Sequence, residues 1–205
     1  MLLARHALAG SNRDGLASCT PPGDGLTPEG VEQAQRLGAV LAQEEIGLGV
    51  ASEFRRTQET LELALDGRDA LIVVVPELNE VRFGGFDGGP LAAYRAWAGA
   101  EPPELPAPGG GESRAQAAER YARGLRTVLA RPEAIVLVVG HALAIRYILD
   151  AAEGLAPAAL MASPVEHARL HRLSAGEIEA AATLLEEWGR APRFRDPAIE
   201  GRARR

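Results

Sequence analysis

The stretch Ala134 to Gly140 carries no polar side chain, is rich in β-branched residues, and stops at His141. It is too short for a helix of ordinary length, so it reads as a strand covered on both faces. Ala70 to Val75 repeats the pattern and is likewise expected to be buried on both faces. Met1 to Ala4 is a shorter version that ends at Arg5-His6, and Leu48 to Ser52 and Val165 to Leu173 are further strand candidates. Segments of helical spacing lie between them. Thr27 can cap a helix whose first position, Pro28, has no N–H to lose, with Glu29 at the positive end. Val31, Ala34, Gly38 and Leu41 carry it to about Glu45. Arg55 to Leu65, Leu91 to Ala98, Glu112 to Ala130 and Ala142 to Ala152 read as helices, and Ile178 to Trp188 fits strand or helix. Residues 9–24, 83–90 and 99–111 are rich in Gly, Pro, Ser or Asp and read as loops. Strands alternating with helices predict an α/β domain on a largely parallel sheet. One domain is expected over 1–188, followed by a flexible tail over 189–205.

Such sheets bind ligands beyond the carboxyl ends of their strands. Arg5-His6, Ser52 with Arg55-Arg56, and Gly140-His141 all stand just beyond strand candidates, so three distant segments are expected to converge on one edge. All 22 basic residues are arginine. Without lysine, a Schiff base has no amine and a P-loop has no phosphate-binding lysine. Any anion site must be built from Arg, His and backbone N–H groups, and the guanidinium fork suits phosphate. The net charge of −6 argues against a nucleic-acid binder. No apolar run is long enough for a membrane span, no secretory pattern opens the chain, and Cys19 alone makes no disulfide framework. The cytoplasm is the expected compartment.

A neutral imidazole can attack phosphorus and divide a hard displacement into two easier ones. The transferring group needs fixed positive partners, which Arg5, Arg56 and a protonated His141 can supply. A carboxylic acid must protonate the leaving oxygen, and Glu80, in Glu77-Leu78-Asn79-Glu80, is the candidate.

Arg5-His6 followed by Asn12 resembles the signature of the histidine phosphatase superfamily, which includes the cofactor-dependent phosphoglycerate mutases. Leu26-Thr27-Pro28-Glu29-Gly30 with Gln33-Ala34 and Leu37-Gly38 resembles that family's first helix. Ser52 to Thr60 resembles its second arginine motif, with Arg56 as the motif residue and Arg55 as its neighbour. Leu78-Asn79-Glu80 with Phe83-Gly84 and Asp87-Gly88 resembles the acid-bearing segment, and Gly110-Gly111-Glu112-Ser113 the start of a later helix. Val138-Val139-Gly140-His141 with Ile145-Arg146 resembles the second histidine motif. The resemblance implies a three-layer α/β/α sandwich. In it His6 is phosphorylated, Arg5, Arg56 and His141 hold the phosphoryl group, and Glu80 is the acid. Asn12 and the Ala142 N–H make further oxygen contacts. It implies no metal and no cofactor. Ala7 and Ala142 stand where the family usually has Gly, and Leu8 and Ala9 replace a polar pair. Alanine keeps its N–H, so the phosphate pocket can survive. Ser163-Pro164 stands where the family often has Asn.

The short connector after the acid segment favours a phosphatase acting on a small phosphorylated metabolite. A mutase-type isomerase and a non-catalytic phosphate-binding module are the alternatives, and a homodimer is left open. Arg82 could meet a second anionic group or make a surface ion pair. His167 and His171, four apart, lack the carboxylate or cysteine pattern that would complete a metal site. The 99–111 connector is either a plain link or a wall of the substrate mouth.

Overall fold

The computed structural model describes residues 1–160 and 164–195. Five strands form one sheet: β1 (Leu2–Arg5), β2 (Leu48–Ala51), β3 (Leu71–Val74), β4 (Val136–Gly140) and β5 (Leu170–Arg172), in the order β3-β2-β4-β1-β5. All pairings are parallel except β1 with β5. The helices are α1 (Gly10–Arg13), α2 (Pro28–Val40), α3 (Arg55–Ala64), α4 (Leu91–Ala100), α5 (Arg114–Leu129), α6 (Ala142–Ala152) and α7 (Ala175–Arg190). The alternation of side chains along the strands sorts them into two cores. Leu2, Ala4, Leu137 and Val139 pack against Leu37 of α2 and Leu61 of α3. Leu3, Val136 and Val138 pack against Tyr121 and Leu125 of α5, Tyr147 of α6 and Leu185 of α7. Helices cover both faces, which is the three-layer α/β/α sandwich.

The Thr27 cap acts as the sequence suggests, and two serines add caps of their own. The Thr27 side chain accepts from the Gly30 N–H at 3.0 Å, and Ser113 and Ser174 each close a capping box. Three expectations are corrected. The apolar run at Leu71–Val74 is an edge strand, not a buried one. It pairs only with β2, and Leu71, Ile72 and Val74 are 60%, 48% and 46% exposed. Only Leu170–Arg172 of the expected strand over 165–173 is regular, because the chain reverses direction before it. The expected tail is folded at its start: Gly189 and Arg190 end α7, the Phe194 ring packs tilted against Trp188, and Arg195 meets Asp150 at 3.1 Å. Residues 196–205 lie outside the described residues, as does Ser163. Residues 178–188 are helical, within α7. Among the described residues no helix is long and apolar enough to cross a membrane.

Candidate active site

Register brings the separate segments together. Arg5 sits opposite Gly140 in the β1–β4 pair, and the His6 N–H donates to the Gly140 carbonyl at 2.9 Å. Ala51 sits opposite Val139 on the other side of β4, which places Ser52 at the same edge. The His6 and His141 rings therefore meet edge to face, with centroids 5.3 Å apart. Both are buried, at 1% and 0% exposure.

Hydrogen bonds fix the protonation of each ring. His6 Nδ1 lies 2.7 Å from the Ala7 carbonyl. A carbonyl only accepts, so Nδ1 carries a proton, and in the neutral ring that burial favours the Nε2 lone pair is free. Arg56 Nη2 lies 3.3 Å from His141 Nδ1. A guanidinium only donates, so the proton of His141 is on Nε2, which donates to Ser52 Oγ at 2.9 Å. Ser52 in turn donates to Thr57 Oγ1 at 2.9 Å, and Thr57 to the Phe54 carbonyl at 2.7 Å. Burial, then the Arg56 charge, holds both imidazoles well below their usual titration range. The protonated His141 expected from the sequence is thus a neutral imidazole among these neighbours.

The two arginines supply the positive charge. Arg56, 2% exposed, projects from the first turn of α3 and lies over the Phe54 ring, 4.3 Å from its centroid. Its other donors reach Ser18 Oγ at 3.3 Å and the Ser18 carbonyl at 3.0 Å, with Asp24 at 3.7 Å. Arg5 donates to the Val165 carbonyl at 2.8 Å. Burial lowers its pKa to about 10, so it stays charged at neutral pH. Arg5 Nε and Arg56 Nε are buried without a hydrogen-bond partner, as is Asn12 Oδ1 on α1. Unpaired buried donors are costly, and two of them beside two neutral imidazoles make a site suited to an anion.

Glu80 enters from the segment after β3. Its Oε2 lies 3.9 Å from His141 Nδ1, and its Oε1 accepts from the Val81 N–H at 3.0 Å. Arg120 of α5 holds this segment through the carbonyls of Glu77 at 2.8 Å, Asn79 at 2.9 Å and Glu80 at 3.3 Å. Arg120 itself pairs with the buried carboxylate of Glu112. Arg82 also pairs with Glu112, at 3.5 Å, and takes the ion-pair alternative. Arg55 pairs with Glu59 on the surface. Ala142 opens α6 directly after His141. The 99–111 connector packs onto the acid segment, with the Gly85 N–H donating to the Pro108 carbonyl at 2.6 Å.

Sequence reasoning missed three contributors. Ser52 anchors His141, Thr60 Oγ1 accepts from the Ala7 N–H at 2.9 Å, and His167 Nδ1 meets the His6 carbonyl at 2.8 Å. Ser52 and Thr60 lie within the second arginine motif, but nothing in the motif says which atoms they hold. His167 offers no such signal, because its neighbours in space are not its neighbours in sequence.

A family model described as the histidine phosphatase superfamily (branch 1) matches residues 1–188. The adenosylcobalamin/alpha-ribazole phosphatase of Escherichia coli (strain K12) is 40% identical over 85 residues, a stretch covering 42% of this chain and 41% of that protein. The chain thus matches about two fifths of that relative's length. GpmB of Erwinia tasmaniensis, by name of the phosphoglycerate mutase class, is 26% identical over 85% of this chain and 86% of its own. The crystal structure of the alpha-ribazole phosphatase from Shigella flexneri superposes with a TM-score of 0.71 at 27% identity, covering 82% of this chain and 87% of that one. With a match spanning all five strands and the clustered Arg5, His6, Arg56, Glu80 and His141, this chain belongs to the histidine phosphatase superfamily.

Proposed function

We propose that this protein is a phosphatase that hydrolyses a small phosphate monoester through a covalent phosphohistidine on His6. The observation that carries the reading is the His6 ring, whose Nδ1 is tied to the Ala7 carbonyl, leaving Nε2 as a neutral nucleophile beside the buried Arg56 and the partly buried Arg5. In the first half-reaction Nε2 attacks phosphorus and the ester P–O bond breaks. Protonated Glu80 gives its proton to the leaving oxygen, which departs as an alcohol. Arg5, Arg56 and His141 bind the phosphoryl oxygens, with Asn12 and the Ala142 N–H at the start of α6 as further contacts. In the second half-reaction water attacks phosphorus, its proton passes to the Glu80 carboxylate, and the P–N bond breaks. Inorganic phosphate leaves and the His6 lone pair is restored.

Hydrolysis is favoured over mutase-type transfer by the cavity next to Arg56. It has a volume of about 420 Å³, and its lining joins apolar surface at Leu16 and Ala17 to Ser18, Thr20, Asp24 and Asp87. Ser18 and Asp24 are themselves Arg56 contacts. Such a wall suits an uncharged leaving group with both apolar and hydroxyl surface and repels a second carboxylate or phosphate. The relatives named for alpha-ribazole make its phosphate ester the first natural substrate to try.

The test is turnover of an aryl phosphate and of alpha-ribazole phosphate at pH 6 to 8. Wild type is expected to release phosphate from both, and His6→Ala to fall to background. Glu80→Gln should lose about 10² to 10⁴ in kcat on the natural ester. On an aryl ester, whose leaving group needs little protonation, phosphorylation of His6 should survive while hydrolysis of the phosphoenzyme slows, so a burst of phenol should precede slow turnover. Undiminished activity of His6→Ala would refute the mechanism. Interconversion of phosphoglycerates faster than their hydrolysis would favour the mutase.

A further inference from the structure

The dipeptide Arg5-His6 is gripped from the β5 side by three hydrogen bonds. Arg5 Nη1 donates to the Val165 carbonyl at 2.8 Å, the Ala168 N–H to the Arg5 carbonyl at 2.9 Å, and His167 Nδ1 to the His6 carbonyl at 2.8 Å. To make them the chain must turn back on itself. His167 bridges Arg5 in parallel sense, whereas Leu170–Arg172 run antiparallel to β1. The reversal falls on Ala168, whose φ of 53° makes it the single non-glycine residue of positive φ among the described residues. A left-handed alanine costs roughly 1–2 kcal/mol, and strain of this kind persists where the surrounding contacts dictate it.

What the contacts dictate is the placement of one peptide plane. The peptide joining His6 to Ala7 is held at its oxygen by His167 and at its nitrogen by Thr60 Oγ1, 2.9 Å from the Ala7 N–H. Rotation of that plane would move the next carbonyl, that of Ala7, which is the acceptor fixing the His6 ring. The His167 and His6 rings lie 5.4 Å apart. Since a carbonyl only accepts, the contact requires a proton on His167 Nδ1, which both the neutral tautomer and the cation can supply.

We propose that His167 is a positioning residue for the His6 nucleophile, acting through the His6 carbonyl and through the strained turn at Ala168. The proposal rests on His6 being the nucleophile. It assigns no proton transfer and no substrate contact to His167; its function is the fixed aim of Nε2. A misplacement of about 1 Å at the reacting atom can cost on the order of 10² in rate.

The test compares three variants by kcat and KM on an aryl phosphate. Asparagine places its amide nitrogen where Nδ1 stands, glutamine places its amide where Nε2 stands, and phenylalanine keeps the ring volume without either donor. His167→Phe and His167→Gln are each expected to lose about 10- to 100-fold in kcat with KM within about twofold. His167→Asn should return to within about threefold of wild type. Two loss variants are used so that misfolding of one, seen by circular dichroism, leaves the other to decide. Phe or Gln variants that keep kcat within twofold of wild type would overturn the proposal. So would an Asn variant as slow as either of them. Inactivity of the wild-type protein on every ester would instead refute the phosphatase reading itself.

Discussion

His141 presents the Nδ1 lone pair, not a proton, toward Arg56 and Glu80. A lone pair facing a phosphoryl oxygen repels it, so anion binding must either move Arg56 into the gap or protonate His141. Burial and then Arg56 depress the pKa of the free protein's His141, and a dianion in contact with the ring reverses the balance. Binding should therefore take up a proton between the depressed free value and the raised bound value. Sulfate, whose own charge is constant over the range, is the probe. Its Kd is expected to fall by up to about tenfold per pH unit as pH drops from 8 to 6, and the His141→Asn variant should bind weakly and without that slope. A wild-type Kd independent of pH would show that Arg56 moves instead. At this scale the sequence was legible where a residue directly follows a strand, as His6 and His141 do. It was not legible for Ser52, Thr60 and His167, which act by holding an atom of another residue. Their roles depend on strand register and on a chain reversal, and no local pattern encodes either.

α2 meets the segment after His6 at a single close point. A methyl group on Gly30 would lie 2.1 Å from the Leu8 carbonyl oxygen. That oxygen already accepts from the Thr27 N–H at 2.9 Å and Thr27 Oγ1 at 3.2 Å, while the Leu8 N–H donates to Gln33 at 2.9 Å. The first turn of α2 is thereby docked onto the strand exit that carries His6. Gly30→Ala should destabilise the fold by about 1–3 kcal/mol, the usual cost of overpacking. It should also lower kcat, because the only relief is to push Leu8 away, two residues from His6. A denaturant melt and a rate measurement on the same sample check both, and wild-type values in both would show that the contact yields freely. The helix itself was legible, since Thr27, Pro28 and Glu29 fit its start in different ways. Its closeness to Leu8 was not. The same divide separates β4 from β3. Both are apolar runs, but β4 has neighbours on each side and β3 only one. Centre and edge are properties of the assembled sheet, so the run Leu71–Val74 could announce a strand without announcing its exposure.

The molecule as a whole carries all four histidines in environments that disfavour the cation, although only two follow the strand ends where chemistry was expected. His6 and His141 lie well below the ordinary 6.5. His167 is lowered to about 4, by burial and then by Arg5, and His171 is lowered mainly by burial. In the unfolded chain each regains its ordinary value and binds a proton below about pH 6.5. The unfolded state then holds more protons than the folded one, so stability is fully present above that pH and falls as pH drops. Each such group contributes a slope of up to about 1.4 kcal/mol per pH unit. With His6, His141 and His167 acting together, the fold should lose up to about 4 kcal/mol per unit below pH 6, a steep decline for a domain of ordinary stability. His167→Asn is expected to flatten this slope by roughly a third, the share of one histidine in three. Sulfate should also protect, because it binds only the folded protein, and the protection should grow as pH falls. Urea melts at pH 7, 6 and 5, with and without sulfate, measure these effects. A midpoint that stays constant from pH 7 to 5 would mean that the imidazoles gain water before the fold is lost, and that the site is looser than its hydrogen bonds imply.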